Sequence, residues 1–144
     1  MKRLSQCVCT LLVLLLILNT TAFAAEANTQ RASDYFFNYS VYLHEISGTQ
    51  FEVWFEVTAK GGMDELGVST IKVQRSTDRE NWTTVRTYYK ENNDNMVAKD
   101  TCYHEGCVTY TYSSGYYYRA YVELYAKKGN GLAYYDCYTS YIEC

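Results

Sequence analysis

From residue 39 onward, apolar and polar side chains alternate with a period of two almost without interruption, and no helical period of useful length competes. A strand turns successive side chains to opposite faces, so this pattern commits the chain to half-buried sheet. The stretch 50–62, "QFEVWFEVTAKGG", is the clearest case. Phe51, Val53, Phe55 and Val57 face one way, and Glu52, Trp54, Glu56 and Thr58 face the other. Further strands are predicted at 39–46, 68–76, 82–89, 108–114, 116–126 and 132–142. The chain has no proline, so its turns must rest on Gly, Asn, Asp and Ser. "MDELG" at 63–67, "TDREN" at 77–81 and "KKGNG" at 127–131 read as connections, and 90–107 as the longest polar loop. Seven short strands with turn signals between them predict one antiparallel β-sandwich over 38–144.

The first 24 residues read as a secretory signal peptide. Lys2 and Arg3 form a basic start, Leu11 to Leu18 is unbroken apolar sequence, and Ala22-Phe23-Ala24 predicts cleavage after Ala24. The apolar run is shorter than the roughly 20 residues that span a bilayer. Residues 25–37 then read as a flexible leader. Removing the signal leaves 11 basic against 16 acidic side chains, a net charge of −5. That balance argues against nucleic acid or an anionic membrane surface as partner, because both select clustered Lys and Arg. The expected protein is exported and is not inserted in a membrane after cleavage.

Export makes disulfides the expected state of the four remaining cysteines. Cys102 and Cys107 flank "YHEG", where Gly106 can supply a turn, so a local bridge between them is one expectation. Cys137 and Cys144 are too far apart along an extended strand to pair unless the tail folds back. Pairing of Cys137 with Cys102 or Cys107 is the competing arrangement. The same thiolates with His104 match zinc-ligand chemistry, but an oxidising compartment favours disulfides over metal.

"STIKVQRSTDRENWTTV" and "GYYYRAYVELYAKKGNGLAYY" together resemble the fibronectin type III-like and immunoglobulin-like sandwiches of secreted bacterial proteins. They are most similar to an uncharacterised family of small exported proteins of Gram-positive bacteria. The resemblance covers roughly 38–142 and implies one sandwich behind a signal peptide, with no activity attached. It implies that Tyr116 is the tyrosine that corners the sixth strand by bonding back to the preceding loop. It also implies that Tyr118 is a core aromatic. The four cysteines depart from the pattern.

No nucleophile-elbow, zinc-protease or phosphate-cradling motif is present, and His44 and His104 are the only histidines. The expectation is a protein that is not an enzyme and carries no cofactor or metal. Tyrosine supplies the remaining signal, with seventeen in the chain. On the predicted sixth strand, Tyr116, Tyr118, Ala120, Val122, Leu124 and Ala126 share the core face. Tyr117, Arg119, Tyr121, Glu123, Tyr125 and Lys127 share the outer one. The next strand adds either Tyr134 and Tyr138 or Tyr135, Thr139 and Tyr141 to that outer surface, depending on register. Tyrosine offers large contact area at small entropic cost, so Tyr117, Arg119, Tyr121 and Tyr125 form the candidate ligand-binding set. The alternative is that cross-strand tyrosine pairs only stabilise a solvated sheet. The chain is therefore expected to be a secreted binding or adhesion module for a glycan or protein at the cell surface. A self-associating surface protein is the alternative, and an unrecognised hydrolase a remoter one.

Overall fold

The computed structural model describes residues 32–144. The expected signal peptide, its cleavage after Ala24 and the first part of the leader lie outside them. One helical turn, α1 (Ala32–Tyr35), precedes β1 (Phe36–Ser47), β2 (Gln50–Ser76), β3 (Thr83–Tyr89), β4 (Val97–Thr111), β5 (Tyr117–Lys128), β6 (Gly131–Tyr138) and β7 (Ile142–Glu143). Two short 3-10 turns, Lys90–Asn92 and Asp94–Met96, join β3 to β4. The described residues form an all-β, antiparallel, seven-stranded sheet with the path β1-β2-β5-β6. The end of the expected leader belongs to this fold, because Tyr35 and Phe36 are buried.

The strand count agrees with the sequence pattern, but the division differs. The expected strands 50–62 and 68–76 and the "MDELG" loop between them are one 27-residue strand. That loop stays extended because Met63, Leu66 and Val68 are buried and its backbone pairs with both β4 and β5. Likewise only 90–96 of the expected long loop is non-strand, since β4 starts at Val97 and pairs with β2 down to Gln50.

β2 is the spine of the molecule. Its first half pairs with β1 on one edge, and its second half pairs with β5 on that same path. β4 and β3 follow one another along the opposite edge. Tyr118 pairs with Arg75, which lies 24 residues beyond Phe51. A straight strand would hold those points about 80 Å apart, yet the Phe51 and Tyr118 rings are 5.7 Å apart. The sheet therefore curls through itself into a half-barrel, with its two halves facing each other. The curl sits at a bulge, where Thr58 to Met63 of β2 oppose only Tyr103 to Thr101 of β4.

The alternating side chains of β2 and β5 fill the space between the halves. Phe51, Val53, Phe55, Val57, Ile71 and Val73 meet Tyr118, Ala120, Val122 and Leu124, all fully buried.

Candidate functional site

The outer face of the second half carries the side chains that β5 turns away from the core. Its strand period places Tyr117, Arg119, Tyr121, Glu123, Tyr125 and Lys127 there, as the sequence pattern predicts. Register then supplies the neighbours. Gln74 of β2 lies beside Arg119, Lys72 beside Tyr121, and Ser76 beside Tyr117. On the other side, β6 sets Tyr138 against Tyr121 and Tyr134 against Tyr125. This selects the Tyr134/Tyr138 register. Tyr135 points to the inner side, where its ring lies 5.1 Å from Tyr39. The hydrogen bond with Tyr135 and burial push the Tyr39 hydroxyl up to about 12.

The centre of the face is a stack of rings and a cation. The Arg119 guanidinium sits 4.3 Å from the Trp82 ring and 4.6 Å from the Tyr138 ring. Its Nε donates to Gln74 Oε1 at 2.8 Å, which fixes the plane of the fork. Tyr121 packs edge-on to Tyr138 at 5.5 Å, and Lys72 lies 5.0 Å above the Tyr121 ring. At the end nearest β7, Arg79 lies 5.2 Å from the Tyr117 ring, and Tyr141 packs edge-on to Tyr117 at 5.7 Å. Among the described residues, Arg119, Lys72 and Arg79 form no ion pair.

Tyr125 departs from the expectation. It is 3% exposed, with Lys90 lying 3.5 Å over its ring and Tyr134 5.5 Å away. Its hydroxyl donates to Glu65, which also pairs with Lys127 and Lys90. Burial and that carboxylate raise the Tyr125 hydroxyl well above the ordinary tyrosine range. Burial alone would raise Glu65, but the bonds from Tyr125 and Lys127 outweigh it and leave the carboxyl lowered. Tyr125 is therefore a girder of the sheet and offers no surface to a ligand. Tyr121 is half-buried and donates to Asp136 at 2.8 Å.

The sequence pattern offered Tyr138 or Tyr141 to this surface as alternatives, but it did not bring Lys72, Arg79 and Trp82 to them, because that depends on strand register and on the turn at 77–81. That turn is built on Asp78. Its carboxylate accepts from the backbone N–H groups of Glu80 and Asn81 and from the Asn81 amide, and Trp82 Nε1 donates to the Arg79 carbonyl. The Asn81 bonds and then Glu80 hold Asp78 well below the usual carboxylate range. A depressed folded value means the carboxylate supports the turn above the ordinary aspartate range, near pH 4. The support is lost as pH falls toward the folded value. The Trp82 indole resonance is expected to stay fixed from neutral pH through about pH 4 and to shift only well below it, where the folded carboxylate itself takes up its proton. Asp78→Ala should show the shifted position at neutral pH. An Asp78→Ala spectrum identical to wild type would refute the role of this carboxylate.

Cys102, Cys107, Cys137 and Cys144 are free thiols. Cys102 and Cys107 lie five residues apart on β4, about 16 Å of extended backbone. A bridge needs Cα atoms within roughly 7 Å, so a local bridge between them would need this part of β4 to open. Cys137 pairs opposite Val122, and Cys144 exchanges backbone bonds with Tyr116 six residues further along β5. Burial, then Asp136, pushes the Cys137 thiol up to about 11. Among the described residues no zinc-ligand cluster is brought together, and His104 pairs with Val57 on the inner side, bonds to the Asn95 carbonyl and packs 5.5 Å from Phe55.

The outer face of the first half has a different character. Register aligns His44, Tyr42 and Ser40 of β1 with Glu52, Trp54 and Glu56 of β2, and with Thr109, Cys107 and Glu105 of β4. The Tyr42 and Trp54 rings stack at 6.4 Å with planes 5° apart. Trp54 Nε1 donates to Glu52 at 2.7 Å, and Tyr103 donates to Glu105 at 2.8 Å. Glu56 stands directly opposite Glu105. Among the described residues none of the three carboxylates is ion-paired.

No family model matches the chain, and no curated protein matches it. Among solved structures, it is similar to the crystal structure of Spo0M, a sporulation control protein from Bacillus subtilis. The identity is 9% and the TM-score 0.43, over 74% of this chain and 49% of that one. The chain thus spans about half the length of that structure.

Proposed function

We propose that the chain is an exported, non-enzymatic binding module whose partner docks on the outer face around Trp82, Arg119 and Tyr138. One observation carries this: a guanidinium is held between two exposed-side rings by a fixed bond to Gln74 and has no carboxylate partner among the described residues. Such a surface is preorganised, so little side-chain entropy is lost when a flat anionic partner lands on it. Rings supply area, and the cations select negative charge. The partner is a glycan or protein at the cell surface that brings carboxylate or similar charge beside an apolar or ring face.

The module is read as a fibronectin type III-like or immunoglobulin-like sandwich. What supports that reading is the seven-strand count, the two facing halves and a tyrosine that bonds back across the turn before its strand. That tyrosine is Tyr118: its hydroxyl donates to the Ser113 carbonyl at 3.0 Å and accepts from the Ser113 N–H at 3.2 Å. Tyr116, expected in that role, instead lies half-buried beneath the Arg75 guanidinium at 4.3 Å.

Binding to immobilised glycans and cell-wall fractions tests the proposal. Trp82→Ala and Tyr138→Ala should each weaken retention about tenfold, the equivalent of one ring–cation contact with its area. Retention that is unchanged in both variants would remove the face from consideration.

A further inference from the structure

We infer that the protein partner of this face is a second copy of the chain, docked head to tail with its acidic aromatic face against the cationic aromatic face of the first. The inference rests on the binding-module proposal and names its partner. The two faces lie on the outsides of the two halves of one curled sheet, so each copy presents one to either side. Their charges are complementary. Glu52, Glu56 and Glu105 stand on one, and Lys72, Arg79 and Arg119 surround the ring stack of the other, with no ion pair to any of the six among the described residues. The second face also carries Glu123 opposite Asp136, and these accept from Ser69, Thr70 and Tyr121.

Their centres match in kind as well. The stacked Tyr42–Trp54 pair occupies the acidic face, and the Trp82–Arg119–Tyr138 stack occupies the cationic one. The acidic face also carries an unrelieved cost within the single chain. Glu56 and Glu105 are direct cross-strand neighbours, and like charges in that position destabilise a sheet. A cation from another copy would relieve that repulsion.

Because the faces differ, the contact is heterologous: every copy keeps one face open for the next, and the arrangement extends without closing. Three-stranded faces are small against the ~1,600 Å² of a standard stable interface. Association is therefore weak, dependent on concentration and sensitive to salt.

Sedimentation velocity on the full chain tests this. At about 20 mM salt the weight-average mass should rise with protein concentration, and at about 500 mM it should fall to monomer as screening shortens the Debye length. Glu56→Gln/Glu105→Gln neutralises the acidic face, and Lys72→Gln/Arg79→Gln neutralises the cationic one. Each variant alone should be monomeric at low salt. An equimolar mixture should form a one-to-one pair and nothing larger, since one intact face of each kind remains. Far-ultraviolet circular dichroism confirms that both variants are folded.

Wild type that stays monomeric at low salt overturns the inference. So does association by either variant alone, or a mixture that fails to pair. Monomeric wild type that still binds glycans through Trp82 and Tyr138 overturns the self-docking and leaves the binding-module proposal standing. Loss of both removes that proposal as well.

Discussion

Tyr118→Ala is expected to lower stability by about 3–5 kcal/mol, the range for emptying a large aromatic site in a core. The side chain is fully buried and packs against rings from two other strands and from the connection before its own. Phe51 lies 5.7 Å away, Tyr110 5.9 Å, Tyr112 5.9 Å and Tyr116 6.4 Å. It is the contact through which the two ends of the curled spine meet, so its removal leaves a void that neither half can fill by itself. A single domain has a total stability of roughly 5–15 kcal/mol, and the variant should sit at the edge of folding. Tyr118→Phe separates the two contributions of the residue. It keeps the ring contacts and removes both bonds to Ser113, at a cost of about 1 kcal/mol. Denaturant unfolding of the three proteins reads both effects as midpoint shifts at constant slope. A Tyr118→Ala midpoint equal to wild type would refute its place at the closure of the fold.

Gly67→Ala is expected to be comparably damaging for a different reason. Gly67 has φ +154°, where L side chains rarely go. A Cβ there would also drive into the Met96 carbonyl oxygen and approach Val97 Cα at 2.9 Å. Both obstacles are backbone, at the first residue of the strand that pairs with Gly67 and the turn residue just before it, so neither can rotate away. Overpacking and backbone strain each cost about 1–3 kcal/mol, and together they should lower stability by about 3 kcal/mol or more. Gly129→Ala is the control. Its φ of +57° imposes conformational strain of about 1–2 kcal/mol, but nothing lies within 4 Å of the added carbon. Thermal unfolding should rank Gly67→Ala well below Gly129→Ala. The reverse order would show that the close approach of β4 does not govern the site.

The candidate face shows how far a sequence pattern reaches. Period two alone placed Tyr117, Arg119 and Tyr121 on the outside of β5, and the structure puts them there. The same rule placed Tyr125 beside them but could not see that Lys90 and Glu65, from elements distant in sequence, would cover it. Trp82, expected as the first residue of a strand, and Arg79, expected in a turn, could not be assigned to the face for the opposite reason. They lie in a turn whose shape is set by the hydrogen bonds of Asp78, and a turn has no period to extrapolate. The cysteine spacing suggested a loop because "YHEG" has turn chemistry. It became strand because β2 offered a continuous partner edge.

Strand content, the antiparallel all-β class and the inward or outward sense of almost every β5 side chain were legible in the sequence, because each depends only on the alternation of neighbouring residues. Whether 50–62 and 68–76 are two strands or one bent strand was not legible. That choice depends on pairing energy from β4 and β5, which contact β2 across 30 to 60 residues of chain. The same long-range pairing decided which tyrosine anchors the turn before β5, which rings surround Arg119 and how far apart the thiols stand. A period records which side of a strand a residue occupies, and only the curl of the sheet determines what it meets there.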